Sequence, residues 1–285
     1  MSSRKIVQVI PAREVTEGAG VNVYRSIGTP ARRNLDPFLM LDQFSTDDPN
    51  DYIAGFPDHP HRGFNTFTYM LDGHMCHGDS MGNRGDLGPG GAQWMKAGSG
   101  VIHSEMPQQE SGRMRGFQLW INLPAEQKMT APEYQEVRPE AIPEIEIDGV
   151  VVRIVAGDMN EQHGPVTDPN TQFQYLDVSL PAGDDFNHDL PENHTAFIYL
   201  FEGSASVADT GLQEPQLAVL SKGEQLSVKA GSDGARFLLV AGRAIDEPIV
   251  QYGPFVMNTR EEIEQALEDY REGRLVRTKA DMINY

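Results

Sequence analysis

Phe56-Pro57-Asp58-His59-Pro60-His61-Arg62-Gly63 and, further along, Gly100-Val101-Ile102-His103-Ser104-Glu105 bracket the stretch that decides the fold. Each end carries two metal-competent side chains two residues apart. In a β-strand, residues i and i+2 project from one face. His59 with His61, and His103 with Glu105, therefore present two ligand pairs. If both strands look into one interior, three imidazoles and a carboxylate converge. That set holds a transition metal and leaves coordination positions open.

Working outward, 21–28 alternates as a strand, and the apolar run 35–44 reads as another that starts at a proline. The polar residues 45–54 form a loop leading to the site. Strand 66–71 ends at Asp72-Gly73, a hairpin signal. The glycine-rich 80–91 predicts consecutive tight turns. Strands follow at 93–97, 98–105 and 115–123, then a proline-containing connector over 124–143. Short strands with turn signals at close spacing indicate an all-β chain built as an antiparallel sandwich or barrel.

Strands resume at 150–156, 173–180 and 195–201. Phe197-Ile198-Tyr199-Leu200-Phe201-Glu202-Gly203 repeats the pattern of Phe67-Thr68-Tyr69-Met70-Leu71-Asp72-Gly73 at an offset of 130, which indicates an internal duplication. At that offset His59 and His61 fall on Asp189 and Pro191. A two-residue slip puts His103 and Glu105 on Ala235 and Phe237. The second copy keeps the frame without the ligands, and His188 and His194 read as surface or loop residues. One helix is convincing. Thr259 and Glu262 form a capping box, Ile263, Ala266, Leu267 and Tyr270 share an apolar face, and Gly273 ends it. The expected domains are 1–135, carrying the metal, and 136–285, with the helix.

Composition narrows the function classes. The net charge of −19 and the scattered 23 basic residues disfavour direct nucleic-acid binding. No run approaches the roughly 18 apolar residues of a membrane span. The single cysteine, Cys76, excludes an internal disulfide and suits a reducing compartment. A cytoplasmic protein, most simply a monomer, is expected.

His59–Phe64 (HPHRGF), Pro89-Gly90-Gly91, Gln93-Trp94-Met95 and residues 100–105 (GVIHSE) together resemble the pirin branch of the cupin superfamily. So do Arg25-Ser26-Ile27-Gly28, Asp36-Pro37-Phe38-Leu39, the run 117–124 and the run 253–259. The resemblance implies two tandem cupin β-barrels with a short C-terminal helix. It also implies one metal in the first barrel, commonly iron, held by His59, His61, His103 and Glu105. Fe(II) comes first, and copper, manganese, nickel, cobalt and zinc suit the same donors. Cupins usually place a glutamate three to five residues after the HxH pair. Here Phe64-Asn65-Thr66 stands there, so Glu105 must supply the carboxylate.

The resemblance implies two kinds of function. One is a quercetin 2,3-dioxygenase that opens a flavonol ring with O2 and releases CO. In that reading Glu105 doubles as the catalytic base, and the substrate is a flavonol or another small aromatic enol. The other is a regulatory protein that binds a transcription factor or a metabolic enzyme. Arg62, Phe56, Gln93, Met95 and Gln118 are the pocket or supporting candidates, while Trp94 and Trp120 read as core. The site itself would carry a net charge of +1, which favours an anionic substrate.

Overall fold

The structure, a computed structural model, describes residues 2–278 and the backbone of 282–284. Contacts divide the chain into two units. One comprises residues 13–141 and 245–285, the other residues 1–12 and 142–244. Each unit is therefore built from two segments of the chain, with one of the three crossings, between 141 and 142, near the expected boundary at 135. The reason lies in edge pairing and apolar burial. Strand Ile6–Pro11 pairs with Gln216–Leu220 in the second of these units. The C-terminal helix Arg260–Arg271 buries Ile263 and Ala266 with Phe255, Met257 and Leu275, against Ile102, in the first.

The unit that carries the HxH motif has two principal sheets. The larger runs, in spatial order, through Arg13–Glu17, Val21–Ile27, Phe38–Thr46, Met114–Asn122, Phe64–Asp72, Ala92–Lys96, Glu133–Val137 and Met282–Asn284. The smaller orders Phe56–His61, Val101–Pro107, Met75–Asp79 and Arg84–Leu87. Val21, Val23, Phe44, Met70 and Met114 from the large sheet share one apolar cluster with Met75 and Leu87 from the small one. Burying such side chains stabilises by roughly 1.5–3 kcal/mol each, before chain entropy is charged against it.

Three expectations change here. Asp72-Gly73 does not close a hairpin: Phe64–Asp72 lies in the large sheet and Met75–Asp79 in the small one, so the turn switches sheets. The glycine-rich segment is not only turns. Arg84–Leu87 forms a strand there, pairing with Met75–Asp79 across a tight turn stapled by the Asp79 carboxylate, which accepts from the backbone N–H groups of Met81 and Asn83. The connector 124–143 contains strand Glu133–Val137, which adds an edge to Ala92–Lys96. Its Tyr134 and Val137 are buried although the segment is polar overall.

The helix follows its sequence closely. The Thr259 hydroxyl accepts from the Glu262 N–H, and the Glu262 carboxylate accepts from the Thr259 N–H. Tyr270, however, is left 41% exposed, and Asp269 is buried instead.

The other unit is a nine-stranded antiparallel assembly around a large, wholly apolar cluster. Its strand Asp185–Asp189 pairs with residues 225–229, as Phe56–His61 pairs with Val101–Pro107. Ala235 and Phe237 lie further along, in the part that pairs with Gln174–Leu180. The two-residue slip therefore does not describe the duplication. On this strand pair Phe186 lies opposite Val228 and both are buried, and His188 lies opposite Leu226. His188 is on the strand, half-buried, with Nε2 2.9 Å from Gln174 Oε1, and His194 is buried. Among the described residues, no helix is long and apolar enough to cross a membrane.

Candidate metal centre

His59 and His103 are directly opposed on hydrogen-bonded neighbouring strands, and His61 stands opposite Val101. The ligand strands are thus adjacent members of one sheet. The register slips by one residue between His103 and Glu105, so Glu105 pairs with Phe56. Such a bulge turns side chains locally. The ligand nitrogens of His59, His61 and His103 lie within 4.8 Å of one another. Glu105 stands outside that cluster but lines the same cavity.

The chemistry of the three rings fits a cation. His59 Nδ1 lies 2.8 Å from the Pro57 carbonyl oxygen, which accepts the ring N–H and leaves Nε2 with a lone pair. His103 Nδ1 lies 3.3 Å from His77 Nδ1, while its Nε2 is buried without a protein partner. Burial pushes His61 and His103 well below the ordinary imidazole range, and neighbouring imidazoles push the same way. Burial also lowers His59, against its bond to Pro57. Neutral rings with unused lone pairs, packed this closely, are the form that binds a metal. An unpaired buried polar atom otherwise costs about 1–3 kcal/mol.

Glu105 is buried, and desolvation lifts its pKa to about 7, opposed by the Thr68 hydroxyl. Thr68 Oγ1 lies 3.2 Å from Glu105 Oε1 and 2.5 Å from Gln118 Oε1. One hydroxyl hydrogen cannot serve both oxygens. The row is satisfied when Glu105 carries the proton and donates to Thr68, or when Gln118 turns its amide nitrogen inward.

His59, His61, Thr68, Glu105 and Gln118 line a cavity of about 610 Å³, and His103 is not part of its lining. Val23, Met40, Phe44, Phe56, Met75 and Trp120 give it apolar walls, and Gln251, Gly253 and Pro254 close one side. Arg25 lines it too, bound to both oxygens of Asp42 at 2.7 and 2.6 Å and to Glu17 at 2.7 Å.

Of the five supporting candidates, Phe56 and Gln118 line this cavity, and Arg62, Gln93 and Met95 do not. Arg62 is buried, its Nε donating to the Ser99 carbonyl and its Nη1 to Asp269 at 2.8 Å. Gln93 donates to Glu136, and Met95 packs with Ala97, Val101 and Tyr134. Trp120 is cavity wall as well as core, edge-on to His61 at 5.3 Å. Sequence reading missed Thr68, His77, Arg25 and the 251–254 segment. Alternation placed Thr68 on a strand, but nothing in the chain announces which face looks into the cavity.

Residues 20–121 match the pirin family, and residues 175–276 match the pirin C-terminal cupin domain. A Pseudomonas aeruginosa protein, provisionally named a quercetin 2,3-dioxygenase, is 50% identical over 95% of this chain and 98% of its own length. A pirin-like protein of Caulobacter vibrioides is 46% identical over 96% of this chain and all of its own. The crystal structure of a quercetin 2,3-dioxygenase from Acinetobacter baumannii superposes with a TM-score of 0.90 and 34% identity, covering 96% of this chain and 99% of that one. With two cupin domains and a three-histidine cluster in the first, this chain belongs to the pirin family.

Proposed function

We propose that the protein is a metal-dependent dioxygenase of the quercetin 2,3-dioxygenase type, opening a flavonol ring with O2 and releasing CO. The observation that carries this reading is a three-imidazole cluster, two of whose rings (His59 and His61) line an apolar, aromatic-walled cavity that also presents the Glu105 carboxylate. His59, His61 and His103 are the proposed ligands, with Glu105 as the fourth. Held there, a divalent ion would act as a Lewis acid on a substrate hydroxyl. Fe(II) is proposed first, although affinity at such donors rises towards copper.

The chain's own residues supply the rest. A cavity of about 610 Å³ takes a flat polyphenol, and Phe56, Phe44 and Trp120 offer faces and edges to its rings. Glu105 lines the cavity and is the proposed acceptor of the hydroxyl proton. Thr68 and Gln118 continue the hydrogen-bonded row along which its proton is held. Glu17, Asp42 and Asp58 outnumber the single Arg25 in the lining, and Arg25 is already paired. Such walls favour a substrate that enters neutral and is deprotonated at the site over one that arrives as an anion.

The test uses purified protein supplied in turn with iron, copper, manganese, nickel, cobalt and zinc. Flavonol absorbance and CO release are followed together. The reading expects turnover with at least one ion, abolished by His61→Ala. No turnover with any of them overturns it in favour of the regulatory role.

A further inference from the structure

We propose that His77 is a positioning residue that fixes the tautomer of His103 and so makes its Nε2 available as a metal ligand, an inference that rests on the metal-centre reading above. His77 is in the middle of strand Met75–Asp79, opposite Glu105, and is buried. Its Nδ1 faces His103 Nδ1 at 3.3 Å, and its ring stands edge-on to Tyr134. It lies outside the three-histidine cluster and does not line the cavity.

Two ring nitrogens at that distance share one hydrogen, because two lone pairs would repel and two N–H groups would clash. With both rings neutral, two arrangements exist. In the first, His103 donates its Nδ1–H to His77, His103 Nε2 carries a lone pair, and His77 holds its own proton on Nε2. In the second, His77 donates, and His103 Nε2 carries a hydrogen that blocks coordination. His77 Nε2 and His103 Nε2 are both buried without a protein partner. Either arrangement therefore leaves one ring N–H unpaired, and neither is strongly preferred without a ligand. A cation on His103 Nε2 is compatible only with the first. His77 thus acts as acceptor and orients the ring, the role that carboxylates and carbonyls take beside metal-bound histidines.

The test compares Co(II) affinity and the Co(II) visible spectrum of the wild type with those of His77→Phe, which keeps the ring without its nitrogens. His77→Asn, whose side-chain oxygen can accept the same hydrogen, is the rescue. The His77→Phe protein is expected to bind Co(II) about 10–100-fold more weakly with an altered spectrum, and the His77→Asn protein within a few-fold of wild type. Nitrogen-15 spectra of the Zn(II)-loaded wild type are expected to show His103 protonated on Nδ1 and His77 on Nε2, which decides the matter even if the Phe variant does not fold. Undiminished affinity in His77→Phe, or a His77 proton on Nδ1 in the loaded protein, overturns the assignment of His77 alone. A wild type that takes up no ion overturns the metal centre itself.

Discussion

At the scale of single residues, the row Glu105–Thr68–Gln118 is the feature that separates a proton-handling site from a mere metal cage. Thr68 and Gln118 are direct cross-strand neighbours, so their side chains share a face by construction. Thr68→Val keeps the shape and removes the hydroxyl that bonds Glu105. The expected outcome is unchanged metal stoichiometry with kcat for flavonol lowered by roughly tenfold or more, since positioned acid–base groups contribute about 10²–10⁴ in rate. Metal analysis alongside steady-state kinetics checks it. Equal loss of metal and rate would instead assign Thr68 to holding the ion. Thr68 was visible in the sequence only as one residue of a strand. Its role depends on Gln118 lying directly opposite, fifty residues away in the chain, and no local pattern encodes that register.

At the scale of elements, the HxH strand is anchored by buried charges from the C-terminal segment. Arg62 follows the second histidine and meets Asp269 of the helix at 2.8 Å, both nearly inaccessible to water. Arg277 and Gln265 also donate to Asp269. Lys128 is buried too, its Nζ donating to Gly63 and Val256 carbonyl oxygens at 2.6 and 3.1 Å and to Asn122 at 2.7 Å. Gly63 itself has φ +88°, and a Cβ there would lie 2.0 Å from the Val256 oxygen, so only glycine fits. Removing one member of a buried pair strands the other. Asp269→Ala is therefore expected to cost about 3–5 kcal/mol. Lys128→Met, which leaves three acceptors unpaired, is expected to cost roughly 2–4 kcal/mol. Urea titrations of both variants measure these costs. Values below 1 kcal/mol would mean that the charges are hydrated in solution. The helix, its cap and its stop were legible because capping is local. The burial of Asp269 was not: an acidic residue on a helix reads as solvated until its arginine is brought from the far end of the chain.

At the scale of the whole molecule, the two units show what a duplicated frame keeps and loses. In the unit without the HxH motif, the strand pair Asp185–Asp189 with 225–229 buries Phe186, Leu226 and Val228, while the pair Phe56–His61 with Val101–Pro107 sets His59 opposite His103. His188 lies on strand Asp185–Asp189 with its Nε2 2.9 Å from Gln174 Oε1, and burial lowers its pKa below the usual imidazole value. As pH falls through about 6.5 the unfolded chain takes up a proton before this ring does, so His188 contributes stability above that pH that is lost below it. Its ring protons are expected to titrate below 6.5 by NMR, and an ordinary midpoint would show the ring open to water.

Threading carries the second consequence. Residues 245–285 belong with 13–141, and supply Gln251, Gly253 and Pro254 to the cavity wall, Asp269 to Arg62 and the Val256 carbonyl to Lys128. A chain ending at Ala244 retains all four proposed ligands but takes from Arg62 its carboxylate partner, from Lys128 one of its three acceptors, and from the cavity one wall. It is expected to lose cooperative melting of the metal-competent unit and its stoichiometric Co(II) uptake together, while the apolar unit, complete within 1–12 and 142–244, keeps its own transition. Calorimetry with metal titration distinguishes the outcomes. Retained Co(II) binding in the shortened chain would show that the four ligands need only their own sheet to stay in place.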